Sequence, residues 1–205
     1  SREKDHILNR AQIKYVNEVL QTKYLPSLKQ TEREELIYSV TDSVISGHDS
    51  IYPLLGRTSN TNIADSSSRI FFSGINSAVA QRLRDLNIKP ANYSGARILM
   101  ILGVIDYDSG LPLRYINSSD LSKRKTNVFR EPKNYDAAYT IAENYIGLQP
   151  STYTANKAFV IHYVREPEPV YMSNDSANRV NCELPDWTHD EIMAIALDDA
   201  GVATR

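Results

Sequence analysis

The sequence predicts an α+β protein: an N-terminal helical bundle, then an antiparallel β-rich domain or insertion, then a short C-terminal helix. Three observations carry that prediction. Apolar residues recur with a helical period through the first ninety or so positions. From Ala96 the period shortens to that of strands. A proline-marked exit then leads into a capped helix at the chain end. Helices, then strands, then a helix is the order of an α+β fold. With 205 residues, 41% of them hydrophobic and 23% charged, the chain reads as one folding unit with a substantial core. Its parts are 1–95 helical, 96–184 antiparallel β, and 185–205 C-terminal helix and tail.

In the opening segment Leu8, Ala11, Tyr15, Val16 and Val19 form one stripe, with Lys4, Arg10, Lys14 and Glu18 elsewhere, and Pro26 ends the helix. Thr31-Glu-Arg-Glu34 has the form of a capping box, in which the threonine hydroxyl and the glutamate satisfy each other's backbone amides. The helix after it buries Leu36, Val40 and Val44 and stops at Gly47. Residues 56–68 are polar and aperiodic, a long loop. A further helix carries Phe72, Ile75, Val79, Leu83 and Leu86 on one stripe, and the break from Asn87 to Gly95 contains Pro90.

Ala96–Tyr107 is β-rich, and Asp108-Ser-Gly110 turns the chain into Leu111–Ile116. Asn117–Tyr135 reads as a long polar connection. Ala138–Ala142 and Tyr145–Gln149 flank Glu143-Asn144 as a tight hairpin. Ala158–Val164 alternates Phe159, Ile161 and Tyr163 against Val160, His162 and Val164, and residues 169–184 hold one or two short strands around a Ser-Asn-Asp-Ser turn. The terminal helix starts at Asp186 or Thr188. Thr188-His-Asp-Glu191 is a second capping box, Ile192, Ile195 and Ala196 are its apolar side, and Gly201 suits its end.

A net charge of −2 leaves no basic footprint for nucleic acid, apart from the short Lys123-Arg-Lys125 run in a polar stretch. No apolar run approaches the roughly 18–20 residues of a membrane span. The start, Ser-Arg-Glu-Lys-Asp-His, reads into a helix rather than a signal peptide, and Ser at the first position fits initiator removal or trimming. One cysteine, Cys182, excludes an internal disulfide and reads as a small buried hydrophobe. Thirteen tyrosines against four phenylalanines suit both strands and wet interfaces.

Catalytic patterns are missing. His6, His48, His162 and His189 share no metal-ligand spacing, and His189-Asp-Glu191 lacks a second histidine one turn on. His189 reads as an exposed first-turn residue, and His162 as a surface or partly satisfied imidazole. Neither a nucleophile elbow nor a phosphate-cradling glycine loop occurs. Glu166 and Glu168 bracket Pro167 at a strand exit, where solvated or intersubunit charge is expected. No catalytic, cofactor or metal site is therefore assigned. Dispersed carboxylates of a small hydrolase remain an open reading.

The succession from Val160 to Leu197, with Tyr163, Arg165, Pro167, Cys182, Glu183, Leu184, Pro185, His189, Glu191 and Ile192, resembles head-to-tail connector proteins of tailed bacteriophages. Ring or adaptor proteins of crAss-like phages are the particular likeness. Trp187 and the Ser/Asn-rich stretch at 56–68 depart from that pattern. What the resemblance implies is a virion structural protein, assembled in the bacterial host cytoplasm into a ring of about twelve copies beneath the portal. Its partners would be copies of itself, the portal protein and other connector or tail rings. Genomic DNA would pass through without sequence recognition, with no cofactor, no membrane and no enzymatic activity. Tyr163, Arg165, Glu166, Glu168, Trp187, His189 and Glu191 are the expected intersubunit or partner contacts. A carbohydrate- or host-binding module of a phage tail is the alternative, supported by the tyrosines and the β half.

Overall fold

The computed structural model describes residues 2–21, 52–58, 68–127, 132–133, 136–150, 157–172 and 179–201. The capping box at Thr31, the helix ending at Gly47, Pro26 and the Ser-Asn-Asp-Ser turn lie outside these residues. The described chain is mixed α and β, with four helices and antiparallel and mixed sheets. It separates into two units that ignore the sequence order of the three expected parts. The first unit takes both ends of the chain: 1–29, 43–55 and 166–205. The second takes 30–42 and 56–165.

In the first unit, helix α1 (Arg2–Val19) and helix α4 (His189–Asp199) pack together. Ala11, Tyr15, Val16 and Val19 are buried on α1, and Ile192 and Ala196 on α4; Leu20, Leu54 and Leu184 of the same unit are buried too. An isolated helix as short as α4 is marginal in water, so this apolar face is what holds it. Each fully buried aliphatic side chain contributes about 1.5–3 kcal/mol. Gly201, at φ +69°, closes α4 in the left-handed conformation that glycine adopts without strain.

The second unit holds two sheets. One orders its strands β1 (Leu55–Arg57), β7 (Phe159–Arg165), β3 (Ile98–Asp106). The other orders β2 (Arg69–Phe71), β6 (Tyr145–Gln149), β5 (Ala138–Ile141), β4 (Arg114–Tyr115). Strands β3 and β7 run antiparallel from Ile98↔Arg165 to Asp106↔Phe159, with extra residues on β3 at Leu99 and Leu102. The expected hairpin forms: β5 and β6 pair from Ala138↔Gln149 to Ile141↔Ile146. Helix α2 (Phe72–Asp85) contributes Ile75, Val79, Ala80 and Leu83 to a core shared with Ile101, Val104, Tyr139, Ile146, Leu148, Phe159, Ile161 and Tyr163.

Several expectations are corrected. Gly56 and Arg57 belong to β1 rather than to a loop, and Arg69–Phe71 is a strand. The polar connection after Asn117 contains helix α3 (Ser118–Lys125), so Lys123-Arg-Lys125 is its last turn. The Asn117 side chain caps it, accepting from the Ser119 amide at 3.1 Å, and the three cations complement the helix dipole. Strand β4 pairs with β5 in parallel, which makes the second sheet mixed rather than wholly antiparallel. The capping box at Thr188 does not form. The chain enters α4 through a 3-10 turn at Asp186–Thr188, Thr188 is already helical, and its hydroxyl donates back to the Pro185 carbonyl at 2.8 Å.

Candidate interaction surface

Three side chains of α1 lie one helical turn apart and hold an extended segment by its main chain. The Asn9 amide donates to the Val170 carbonyl at 3.1 Å and accepts from the Val170 amide at 2.6 Å. Gln12 donates to the Glu168 carbonyl at 3.1 Å, and Asp5 accepts from the Met172 amide at 3.0 Å. Positions 5, 9 and 12 share a helix face, while residues 168, 170 and 172 share one edge of an extended chain, so the two periods match in antiparallel sense. The opposite edge is satisfied at Tyr171, which exchanges both backbone bonds with Val180 at 3.1 and 3.0 Å. The Glu168 amide donates to Glu183 at 2.9 Å, and the Cys182 thiol donates to Gln12 Oε1 at 2.9 Å. Cys182 is thus half-buried and hydrogen-bonded, with its pKa raised first by burial. Sequence reasoning missed Asp5, Asn9 and Gln12. Their signal was three polar residues adjoining the apolar stripe of α1 at helical spacing.

At the far end of α4, Asp199 receives a hydrogen bond from the Lys14 ammonium, and Arg10 Nε lies 3.5 Å away. The Lys14 bond, with Arg10 adding its charge, holds the Asp199 carboxyl below the usual carboxylate range. An acid at a helix C-terminus opposes the dipole, and these two cations offset it.

The expected contact residues divide. Tyr163 and Arg165 are buried at the end of β7, 2% and 3% exposed, so their own chain already covers them. Burial pushes the Tyr163 hydroxyl up to about 12, against the opposing pull of Arg165 and Arg82. Glu166 and Glu168 are half-buried in the first unit. Trp187 is 55% exposed, Glu191 is exposed, and Asp186 beside Trp187 projects fully into solvent. His189 is half-buried rather than free, its Nε2 lying 3.1 Å from the Leu184 carbonyl. Met193 on α4, and Tyr171 and Met172 on the exit segment, are further exposed apolar side chains of this unit.

The second unit exposes a different set: Phe71, Leu86, Ile88, Tyr107 and Leu111. Beyond the C-terminus of α2 a cleft of about 710 Å³ is lined by Gln81, Arg84, Asp85, Asn87, Ile88 and Lys89, closed by Pro90 and Ala91. Arg84 is fixed there by the Tyr93 carbonyl and by Gln81 Oε1 at 2.6 Å, and the Lys89 ammonium lies 5.6 Å from the Tyr93 ring centroid. Charge also separates. Over their full sequence ranges the first unit carries eight Lys/Arg against thirteen Asp/Glu, and the second fifteen against twelve.

His162, expected near the surface, is instead fully buried in β7, and neither ring nitrogen has a hydrogen-bond partner. Ile161 through Arg165 are all buried, so both faces of this central strand are covered. Burial lowers the His162 pKa to about 4, with the Arg57 charge adding to it. Among the described residues no group of three or more His, Cys, Asp or Glu could hold a metal ion, and no helix is long and apolar enough to cross a membrane. Compared with known protein families and with characterised proteins, the sequence matches none.

Proposed function

We propose that this chain is a virion structural protein, one subunit of a homo-oligomeric ring in the head-to-tail connector of a tailed bacteriophage. In this reading it extends the DNA channel below the portal, joins capsid to tail, and carries out no chemistry. The observation that supports it is that each unit exposes its own set of large apolar side chains: Trp187, Met193, Tyr171 and Met172 among those of the first, and Phe71, Leu86, Ile88, Tyr107 and Leu111 on the second. A closed ring is built from heterologous contacts, in which each subunit presents two different faces. Large exposed apolar side chains rimmed by charge are the usual material of such faces.

Tyrosine placement gives the carbohydrate-binding alternative no comparable support. Among the described residues Tyr15, Tyr139 and Tyr163 are core, and the most exposed tyrosines, Tyr107 and Tyr171, belong to different units. Native mass spectrometry and negative-stain imaging test the connector reading. Ring-shaped particles that bind a portal protein are expected. A chain that forms no ring, alone or with portal and tail components, overturns it.

A further inference from the structure

The two units differ in charge, and the difference is complementary. Trp187 stands half out of its 3-10 turn between the fully exposed Asp186 and the first-turn acids Asp190 and Glu191 of α4. Helix α4 carries four acids and no Lys or Arg. The cleft at the end of α2 carries Ile88 in its wall, with Leu86 exposed nearby, and the cations Arg84 and Lys89 against a single acid, Asp85, which Gln81 engages at 2.6 Å. Its 710 Å³ is room for an indole together with a flanking carboxylate. Arg84 is already held by Tyr93 and Gln81, so a ring entering the cleft meets a guanidinium whose ordering is largely complete.

From this we infer that Trp187 and the acids around it, on one copy of the chain, dock into the Arg84–Ile88–Lys89 cleft of a second copy. The contact rests on the ring reading above and specifies it. A tryptophan flanked by acids and a largely polar cleft in which Arg84 and Lys89 outnumber the one acid, Asp85, are unlike faces, so the association is head-to-tail and repeats from copy to copy. The indole supplies buried area and a ring face for Arg84 or Lys89, and the surrounding charges set the register. The ion pairs lie at the rim, so association weakens as ionic strength rises and the screening length shrinks. The excess of acid in the first unit and of base in the second favours the same pairing at longer range.

The test uses two full-length variants. Trp187→Ala/Asp190→Lys loses the projecting face and keeps the cleft. Ile88→Asp/Lys89→Glu loses the cleft and keeps the projecting face. Each is expected to weaken self-association roughly thirtyfold or more in Kd, as for a hot-spot tryptophan. Mixed, the two should form one-to-one heterodimers, because one intact pair of faces remains; circular dichroism establishes that both are folded. Two folded variants that stay apart when mixed overturn the proposal. So does either variant assembling like the unaltered chain, or an unaltered chain that stays monomeric at its highest soluble concentration. Loss of duplex-DNA binding by the cleft variant with assembly intact assigns the basic surface to DNA and overturns it as well. Rings that persist in both variants sink this contact but spare the connector reading. Open chains that need both faces yet never join a portal protein keep the contact and sink that reading.

Discussion

Lowering the pH should destabilise the second unit through His162. The ring is fully buried, both nitrogens lack partners, and its pKa falls from 6.5 to about 4. Above about pH 6.5 the imidazole is neutral in both folded and unfolded chains, and it adds no pH dependence. Between about 6.5 and 4 the unfolded chain binds a proton that the folded chain refuses, so stability falls with pH by about 1.4 kcal/mol per unit. Summed over that interval, the loss is roughly 3 kcal/mol, and it levels off once the folded ring also protonates. The assay is urea unfolding from pH 4 to 8, followed by circular dichroism and by amide exchange in β3 and β7. His162→Leu should remove this component of the slope. It should also match or exceed the unaltered chain in stability near pH 7, since it takes away two buried polar atoms without partners. His162→Gln should flatten the slope without that gain. An unchanged slope in His162→Leu, or a His162 titration midpoint near 6.5 by NMR, would refute the reasoning.

Asn9→Ala should cost roughly 1–3 kcal/mol in thermal unfolding, because both the amide and the carbonyl of Val170 lose their partner; Trp187 fluorescence reports the same unit. Gly56→Ala should cost about 1–3 kcal/mol in urea unfolding, because the new Cβ would sit 2.8 Å from the buried Tyr163 hydroxyl. Glu191→Ala should change stability by no more than about 0.5 kcal/mol, since the Thr188 side chain makes no capping bond for Glu191 to reciprocate; a loss above about 1 kcal/mol in the same melts would restore the capping box.

The elements with strong periodicity were legible in the sequence. Helix α2 buries Ile75, Val79 and Leu83 as its stripe predicts, while Leu86, expected on the same stripe, follows the last helical residue and is 51% exposed; α1 buries Ala11, Tyr15, Val16 and Val19. The turn at Asp108–Gly110 and the hairpin around Glu143-Asn144 followed from local turn chemistry. What stayed hidden depends on tertiary context. β4 and β2 are two and three residues long, too short to show a period. Helix α3 buries none of its residues, so it has no apolar stripe to read. The alternation in β7 suggested one wet face, but Val160, His162 and Val164 lie on a face that is largely covered too. Of the expected contacts, Trp187 and Glu191 are exposed where a polar stretch enters the acid-rich α4. The burial of Tyr163 and Arg165 could not be read, because a tyrosine or arginine near a strand end reads alike in a core and on a surface.

The hold that Asp5, Asn9 and Gln12 keep on residues 168–172 bears on how copies of the chain can meet. An extended segment with bare amides and carbonyls invites a strand from a neighbour, and proteins stored at high local concentration are the most exposed to that exchange. Here one edge is filled by helix side chains and the other by Val180. A neighbour cannot join this unit by extending a ladder at Glu168, Val170 or Met172 without first displacing α1. Association at this end of the molecule is therefore a matter of side chains, whose identities can be changed one at a time.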